Sequence, residues 1–325
     1  VAVTRRHTVL VLRALGLGDL LTAVPALRGL RETFADSRIV LAAPSPLSAL
    51  LPLMRTVDSL YPASGPGGFR WNHPAPDVAV NLHGSGPESI EALRDSGARH
   101  VMTHAHPDFP GLGGPAWDED QHEVWRWCRL LGHFGVPTDP QRRRVERPEH
   151  DGSHPGAVIV HPGASHVARQ WPPERFARVA RRLAERGHEV VITGSSGERE
   201  LADRVAVYAK LPRTSVLAGR TGMGELAALV SRARLVVCAD TGIAHVATAF
   251  GTPSVVLFGP VAPSHWGPPD DPRHVALWSG TLGDTFADRP DPGLLRLSSE
   301  DVIEAVDEVL DRTEDPALSR SGGVR

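Results

Sequence analysis

Apolar positions along the chain alternate between short unbroken runs and longer stretches that repeat at helical spacing. That alternation predicts parallel sheets with helical crossovers. In the first half, "TVLVLR" and "RIVLAA" read as buried strands. Between them Leu20, Leu21, Val24, Leu27, Leu30 and Phe34 mark a helical face. "DVAVNL" is a further strand and "HEVWRWCRLLGHFG" an amphipathic helix. From Pro137 to Pro155 the apolar period disappears among Pro, Arg, Glu, His and Gly, which predicts an interdomain linker. The pattern then restarts. "AVIVHPG", "EVVITG", "TSVLAG", "RLVVCAD" and "PSVVLFGP" are strands, with helices over Phe176–Arg186, Glu198–Tyr208, Gly224–Ala233 and Thr241–Phe250. Two Rossmann-like α/β domains are therefore expected, 1–150 and 151–325, with ligands beyond the C-terminal ends of their strands, in the cleft where the two domains face one another. The segment Leu282–Pro292 looks irregular. Ser298 and Ser299 open a last helix with Val302, Ile303, Val306, Val309 and Leu310 as its stripe, which could pack back toward the N-terminal domain.

Composition narrows the class without naming it. A 325-residue chain with 41% hydrophobic and 22% charged residues is of globular type. Its net charge of -3 gives no general attraction to nucleic acid, and no apolar run is long enough to span a bilayer. Arg13 interrupts the first apolar run, so the N-terminus does not read as a secretion signal, and a cytoplasmic chain is expected. Cys128 and Cys238 lie in apolar segments and read as buried thiols. Lys210 is the single lysine, and every other basic side chain is arginine. Such a bias fits a GC-rich coding sequence of actinobacterial type.

Three motifs carry chemistry. "GLGDLL" begins like a dinucleotide fingerprint, but Leu21 takes the third glycine position and no acid follows "VLAAPSP", which argues against nicotinamide binding. Asp19 in that motif reads either as a helix cap or as a catalytic carboxylate. In "HPGASHVARQWPPERF", a turn after a strand offers backbone N–H groups, the Ser165 hydroxyl and the Arg169 charge to phosphate oxygens, while Trp171 reads as core. In "VVCADTGIAHVATAFGTPSVVLFGP", a strand ends at Asp240 and a helix opens at Thr241, its free N–H groups pointing beyond the strand. Thr241, Gly242, Ile243 and His245 then form a cradle for a diphosphate, with Asp240 as a cap or an acceptor from sugar hydroxyls. The 16 histidines show no paired metal-ligand spacing, so no metal and no cofactor are expected.

Taken in order, "GLGDLLTAVPALRGL", "NLHGSGPES", "HPGASHVARQWPPERF", "ITGSSGERE", "DTGIAHVATAFGTPSVVLFGP" and "HWGPP" resemble glycosyltransferase family 9, the heptosyltransferase-like enzymes of bacterial surface polysaccharide synthesis. The resemblance runs from about Thr8 to Pro269. It implies a GT-B fold with an acceptor-binding N-terminal half and a donor-binding C-terminal half. It also implies an inverting, metal-independent transfer from a nucleotide-diphosphate sugar, ADP-heptose above all. By resemblance Asp19 is the general base, the helix end at Asp19 favouring a carboxylate there. Gly18 and His83 lie on the acceptor side. Arg169, Thr241, Gly242 and His245 hold the departing diphosphate, Glu198 binds ribose hydroxyls, and Thr221 and Gly222 border the base. The family often carries lysine near "WP", where this chain has Arg169.

Two other readings remain from the sequence: a GT-B nucleotide-sugar epimerase, which needs no separate acceptor, and a non-catalytic nucleotide-sugar binding protein. The acceptor is expected to be a small molecule or a lipid-linked glycan. An actinobacterial host would direct it toward an antibiotic intermediate or a cell-envelope glycan.

Overall fold

The computed structural model describes residues 6–149 and 152–314. Two compact units divide the chain, Val1–Val145 and Glu146–Arg325. Residues 150 and 151 of the expected linker lie outside the described residues. No regular element occurs in the described residues between 134 and 157.

The first unit runs β1 (Thr8–Leu12), α1 (Leu17–Thr22), α2 (Val24–Thr33), β2 (Arg38–Ala43), α3 (Leu51–Met54), β3 (Ser59–Pro62), β4 (Val78–Asn81), α4 (Glu88–Arg94), β5 (His100–Met102) and α5 (Glu123–His133). Its sheet has the order β3-β2-β1-β4-β5, with every pair parallel. β1 and β4 are nearly fully buried, which explains why they read as apolar runs rather than as alternating strands. Crossovers run one way from β1 to β3 and the other way from β4 to β5. The junction of β1 and β4 is therefore the switch point, the place where open parallel sheets generally bind their ligands.

The second unit runs β6 (Val158–His161), α6 (Pro173–Glu185), β7 (Val190–Ile192), α7 (Arg199–Ala209), α8 (Met223–Arg232), β8 (Leu235–Ala239), α9 (Gly242–Phe250), β9 (Ser254–Phe258), α10 (Pro263–Trp266), β10 (His274–Trp278), α11 (Pro292–Arg296) and α12 (Ser299–Glu314). Its parallel sheet has the order β10-β9-β8-β6-β7, with the switch between β6 and β8. Val302, Val306, Val309 and Leu310 of α12 join Val179 and Leu183 of α6 in this unit's own core, so the last helix spends its apolar stripe there. Trp171 is buried in the same core and donates its indole N–H to Leu297 O at 3.1 Å.

Two expected elements take a different form. The helical face from Leu20 to Phe34 is split between α1 and α2, because Pro25, in the first turn of α2, has no N–H to donate to Leu21. The expected strand "TSVLAG" is a 3-10 turn at Arg213–Ser215 and one bridge from Val216 to Ile192. Pro212 precedes it, and Gly219 ends it at φ +70, where an added Cβ would lie 2.9 Å from Ser196 Cα. Both cysteines are buried free thiols.

Candidate functional site

Each unit presents chemistry where its sheet switches direction. In the N-terminal unit, Arg13 follows β1 and the chain turns through Gly16 into α1. Gly16 is the cap residue, and Asp19 stands at the third helical position. Its Oδ2 accepts the Gly16 N–H at 3.1 Å, so Asp19 closes the helix start from inside rather than capping it from outside. Its Oδ1 lies 3.4 Å from Arg13 Nη2. The Asp19 side chain stays 28% exposed.

Arg13 itself is fully buried. Its Nε donates to Asp19 O at 2.9 Å, its Nη1 to Leu82 O at 2.5 Å and its Nη2 to Glu123 Oε1 at 2.9 Å. It also lies 4.7 Å from the centre of the Trp127 ring. Glu123, at the start of α5, is nearly buried and takes two further donors, Arg126 Nε and Trp127 Nε1, both at 3.0 Å. Burial alone would raise the Glu123 pKa, but the two guanidiniums outweigh it and hold the acid below its ordinary value. The sequence reading missed this assembly. Its signal was a charged residue inside an apolar run, the Arg13 of "TVLVLRAL".

His83 follows β4, and its backbone N–H donates to Asn81 Oδ1 at 3.1 Å. Burial, with the Arg13 charge adding to it, lowers its pKa to about 4, so the ring is neutral at neutral pH. Its Nδ1 is buried without a hydrogen-bond partner among the described residues. Gly18 sits half-buried in the first turn of α1. The N-terminal set Gly18, Asp19 and His83 is thus distributed over the C-terminal ends of β1 and β4.

In the C-terminal unit, β6 delivers the turn 162–166 and β8 delivers Asp240. Arg169 ends the 3-10 turn Val167–Arg169, and its Nη1 pairs with Asp240 Oδ2 at 3.2 Å across the switch point. Asp240 is almost fully buried. Burial raises its pKa, against the opposing charge of Arg169. Arg169 Nε is buried without a partner among the described residues. Asp240 does not cap α9. Thr241 takes the cap position, and no side chain closes it. The Ala244 N–H donates to Thr241 O at 3.0 Å, which leaves the N–H groups of Gly242 and Ile243 at the open helix end. His245 lies in the first turns of α9, with its ring edge-on to Trp266 at 6.0 Å, which brings the "HWGPP" segment to the "DTG" helix. Ser165 is exposed in the turn after β6.

Glu198 follows β7. Its Oε2 accepts the Ser195 N–H at 2.7 Å, and its carboxylate lies where a Cβ on Gly163 would stand. His161 Nδ1 is 2.9 Å from Thr193 Oγ1 beneath it. Gly219 N–H donates to Gly194 O at 2.9 Å, bringing the loop that carries Thr221 and Gly222 beside the Glu198 loop. Gly222 caps α8 and donates its N–H to Glu225 Oε2 at 2.6 Å. Arg169, Asp240, Thr241, Gly242 and His245 therefore gather at the β6–β8 ends, with Glu198, Thr221 and Gly222 on the β7 side. Among the described residues, no group of three His, Cys, Asp or Glu side chains could hold a metal ion. No helix among them is long and apolar enough to cross a membrane.

Two doubly wound parallel α/β units in tandem make this a protein of the GT-B fold. The family model described as glycosyltransferase family 9 (heptosyltransferase) matches residues 116–286, and the chain belongs to that family. Lipopolysaccharide heptosyltransferase 3 of Escherichia coli is 31% identical over 180 residues, 54% of this chain and 52% of that protein, so this match spans about half its length. The protein of the same name from strain K12 is 24% identical over 329 residues, covering 90% of this chain and 95% of that one. The structure of E. coli ADP-heptose LPS heptosyltransferase II superposes with a TM-score of 0.76 at 20% identity, over 94% of this chain and 99% of that chain.

Proposed function

We propose that this chain transfers a heptose-like sugar from ADP-heptose to an acceptor hydroxyl, with inversion at the anomeric carbon and without a metal ion. The observation that carries the reading is Asp19, a carboxylate at the N-terminal switch point that is held at both oxygens yet remains open on one side. In the proposed reaction Asp19 takes the acceptor hydroxyl's proton as its oxygen attacks the anomeric carbon. The bond from that carbon to the diphosphate oxygen breaks on the opposite face, through a state of oxocarbenium character. Negative charge then collects on the diphosphate. Arg169, the Thr241 hydroxyl, the N–H groups of Gly242 and Ile243 and His245 receive it, with Ser165 on the turn after β6. Glu198 binds the ribose hydroxyls, and Thr221 and Gly222 border the base.

The donor assignment is supported by family membership and by the names of the relatives, which are heptosyltransferases. The metal-free mechanism is supported by the arginine and helix end present where a divalent ion would otherwise neutralise the diphosphate. The acceptor we favour is an antibiotic intermediate or a cell-envelope glycan, on the strength of the arginine-rich, lysine-poor composition.

The test is a calorimetric titration with ADP-, GDP-, UDP- and dTDP-sugars, followed by turnover in buffer containing EDTA. ADP-heptose is expected to bind best and to be consumed only when an acceptor is present. Conversion of the donor alone would favour an epimerase. Binding without turnover on any acceptor would favour a non-catalytic protein, and loss of activity on chelation would remove the metal-free mechanism.

A further inference from the structure

Arg13 is tied to three parts of the N-terminal unit at once: the α1 backbone at Asp19 O, the end of β4 at Leu82 O, and α5 at Glu123. A fully buried guanidinium requires acceptors on all sides, because an unpaired buried charge is strongly destabilising. The distribution of those acceptors is uneven. Nη2 lies 2.9 Å from Glu123 Oε1 but 3.4 Å from Asp19 Oδ1. The close, charge-assisted bond goes to the buried acid, and the long one to the acid exposed to substrate. Arg13 grips Asp19 mainly through its main-chain oxygen, at 2.9 Å.

We infer that Arg13 and Glu123 are a positioning pair for the proposed base: Arg13 fixes Asp19 in place through its main-chain oxygen, while Glu123 holds the guanidinium's close ion pair on the buried side and leaves the partly exposed Asp19 carboxylate to the acceptor. The inference rests on Asp19 being the general base. A base held by a full ion pair would be well placed but weak, since a close cation favours the ionised form and lowers its affinity for a proton. A base with no cation beside it would lose its anchor. The arrangement meets both demands by giving Arg13 a second carboxylate. Glu123 in turn is fixed by Arg126 and Trp127, so it cannot swing away. Arg13, after β1, is the charged group beside Asp19; Glu123 pairs with Arg13, Arg126 pairs with Glu123 on α5, and the neutral His83 after β4 feels the Arg13 charge.

The experiment compares kcat/KM against pH for the wild type, Glu123→Gln, Glu123→Asp and Asp19→Asn. Glutamine keeps an oxygen for one donor but no longer competes for the Arg13 charge, which then turns to Asp19. The low-pH limb of the Glu123→Gln profile is expected to move down by about one pH unit, a factor of ten in protonation equilibrium. Its plateau kcat should fall by about tenfold with donor affinity unchanged. Glu123→Asp should restore the wild-type limb. A Glu123→Gln profile that superimposes on the wild type, with Asp19→Asn inactive, would overturn the inference and leave the base assignment standing. Wild-type turnover in Asp19→Asn would remove the base assignment itself. If Glu123→Gln does not fold, Arg13→Lys carries the test. A single ammonium cannot reach all three partners, so kcat should drop by about tenfold or more with donor affinity kept, and an unchanged kcat overturns the inference.

Discussion

In the proposed reaction Arg169 serves both the folded state, through its ion pair with Asp240, and the donor. Asp240 is buried at the end of β8, where desolvation works against its charge, and the Arg169 guanidinium is the group that opposes this. A guanidinium has five N–H donors in a planar fork, so pairing Nη1 with Asp240 leaves others for phosphate oxygens. Arg169→Met should therefore weaken donor binding by more than tenfold, since a hydrogen bond to a charged group contributes about 1.5–3 kcal/mol. Arg169→Lys should fall between the two, keeping the charge but losing the fork. Calorimetry on the folded variants measures this, and an unchanged donor affinity in Arg169→Met would take the residue out of the diphosphate site. Arg169 and Asp240 were both legible in the sequence as individual residues. Their ion pair was not, because it joins loops after two strands that lie far apart in the chain and become neighbours only in the sheet.

The element that most shapes the N-terminal site is α5, and its packing makes a pH prediction. His104, just beyond β5, is fully buried, edge-on to Trp117 at 4.9 Å and to Trp127 at 5.8 Å. Neither ring nitrogen has a hydrogen-bond partner among the described residues. Burial, helped by Arg129 and Arg126, lowers its pKa to about 4. The folded value lies below the unfolded value of about 6.5, so as pH falls the unfolded chain takes up the proton first. The stability from keeping this ring neutral is complete above that unfolded value and is lost as pH falls toward about 4. Between neutral pH and about pH 4.5 the wild type should lose roughly 2 kcal/mol more stability than His104→Leu. Urea unfolding of both proteins at the two pH values checks it, and equal losses would contradict it. Long elements such as α5, α6 and α9 were legible because many periodic positions agree. β3, β5 and β10 were not expected, since most of their positions are only half-buried or exposed. The α1–α2 break was written plainly in Pro25, but the apolar spacing on both sides masked it.

At the scale of the whole molecule, the chain repeats one solution twice: a parallel sheet whose direction of winding reverses, with its chemistry in the loops at that reversal. The doubling was legible because the strand–helix rhythm stops after Gly135 and restarts at Ala157. What was not legible is the support beneath the site. Arg13 was marked only as a charge inside an apolar run, and its pairing with Glu123 of α5, which Arg126 and Trp127 hold, was not legible because only the folded unit brings the two segments together. The central claim is that the N-terminal unit supplies a base and the C-terminal unit binds the donor independently of it. Asp19→Asn tests this most directly, because the amide keeps the shape and an acceptor oxygen for the Gly16 N–H while removing the basicity. Initial-rate transfer from ADP-heptose should fall by about 10²- to 10⁴-fold, with the donor dissociation constant, measured by calorimetry on the same preparation, unchanged. Near-wild-type transfer by the folded variant would contradict the account and reduce Asp19 to a residue that closes a helix.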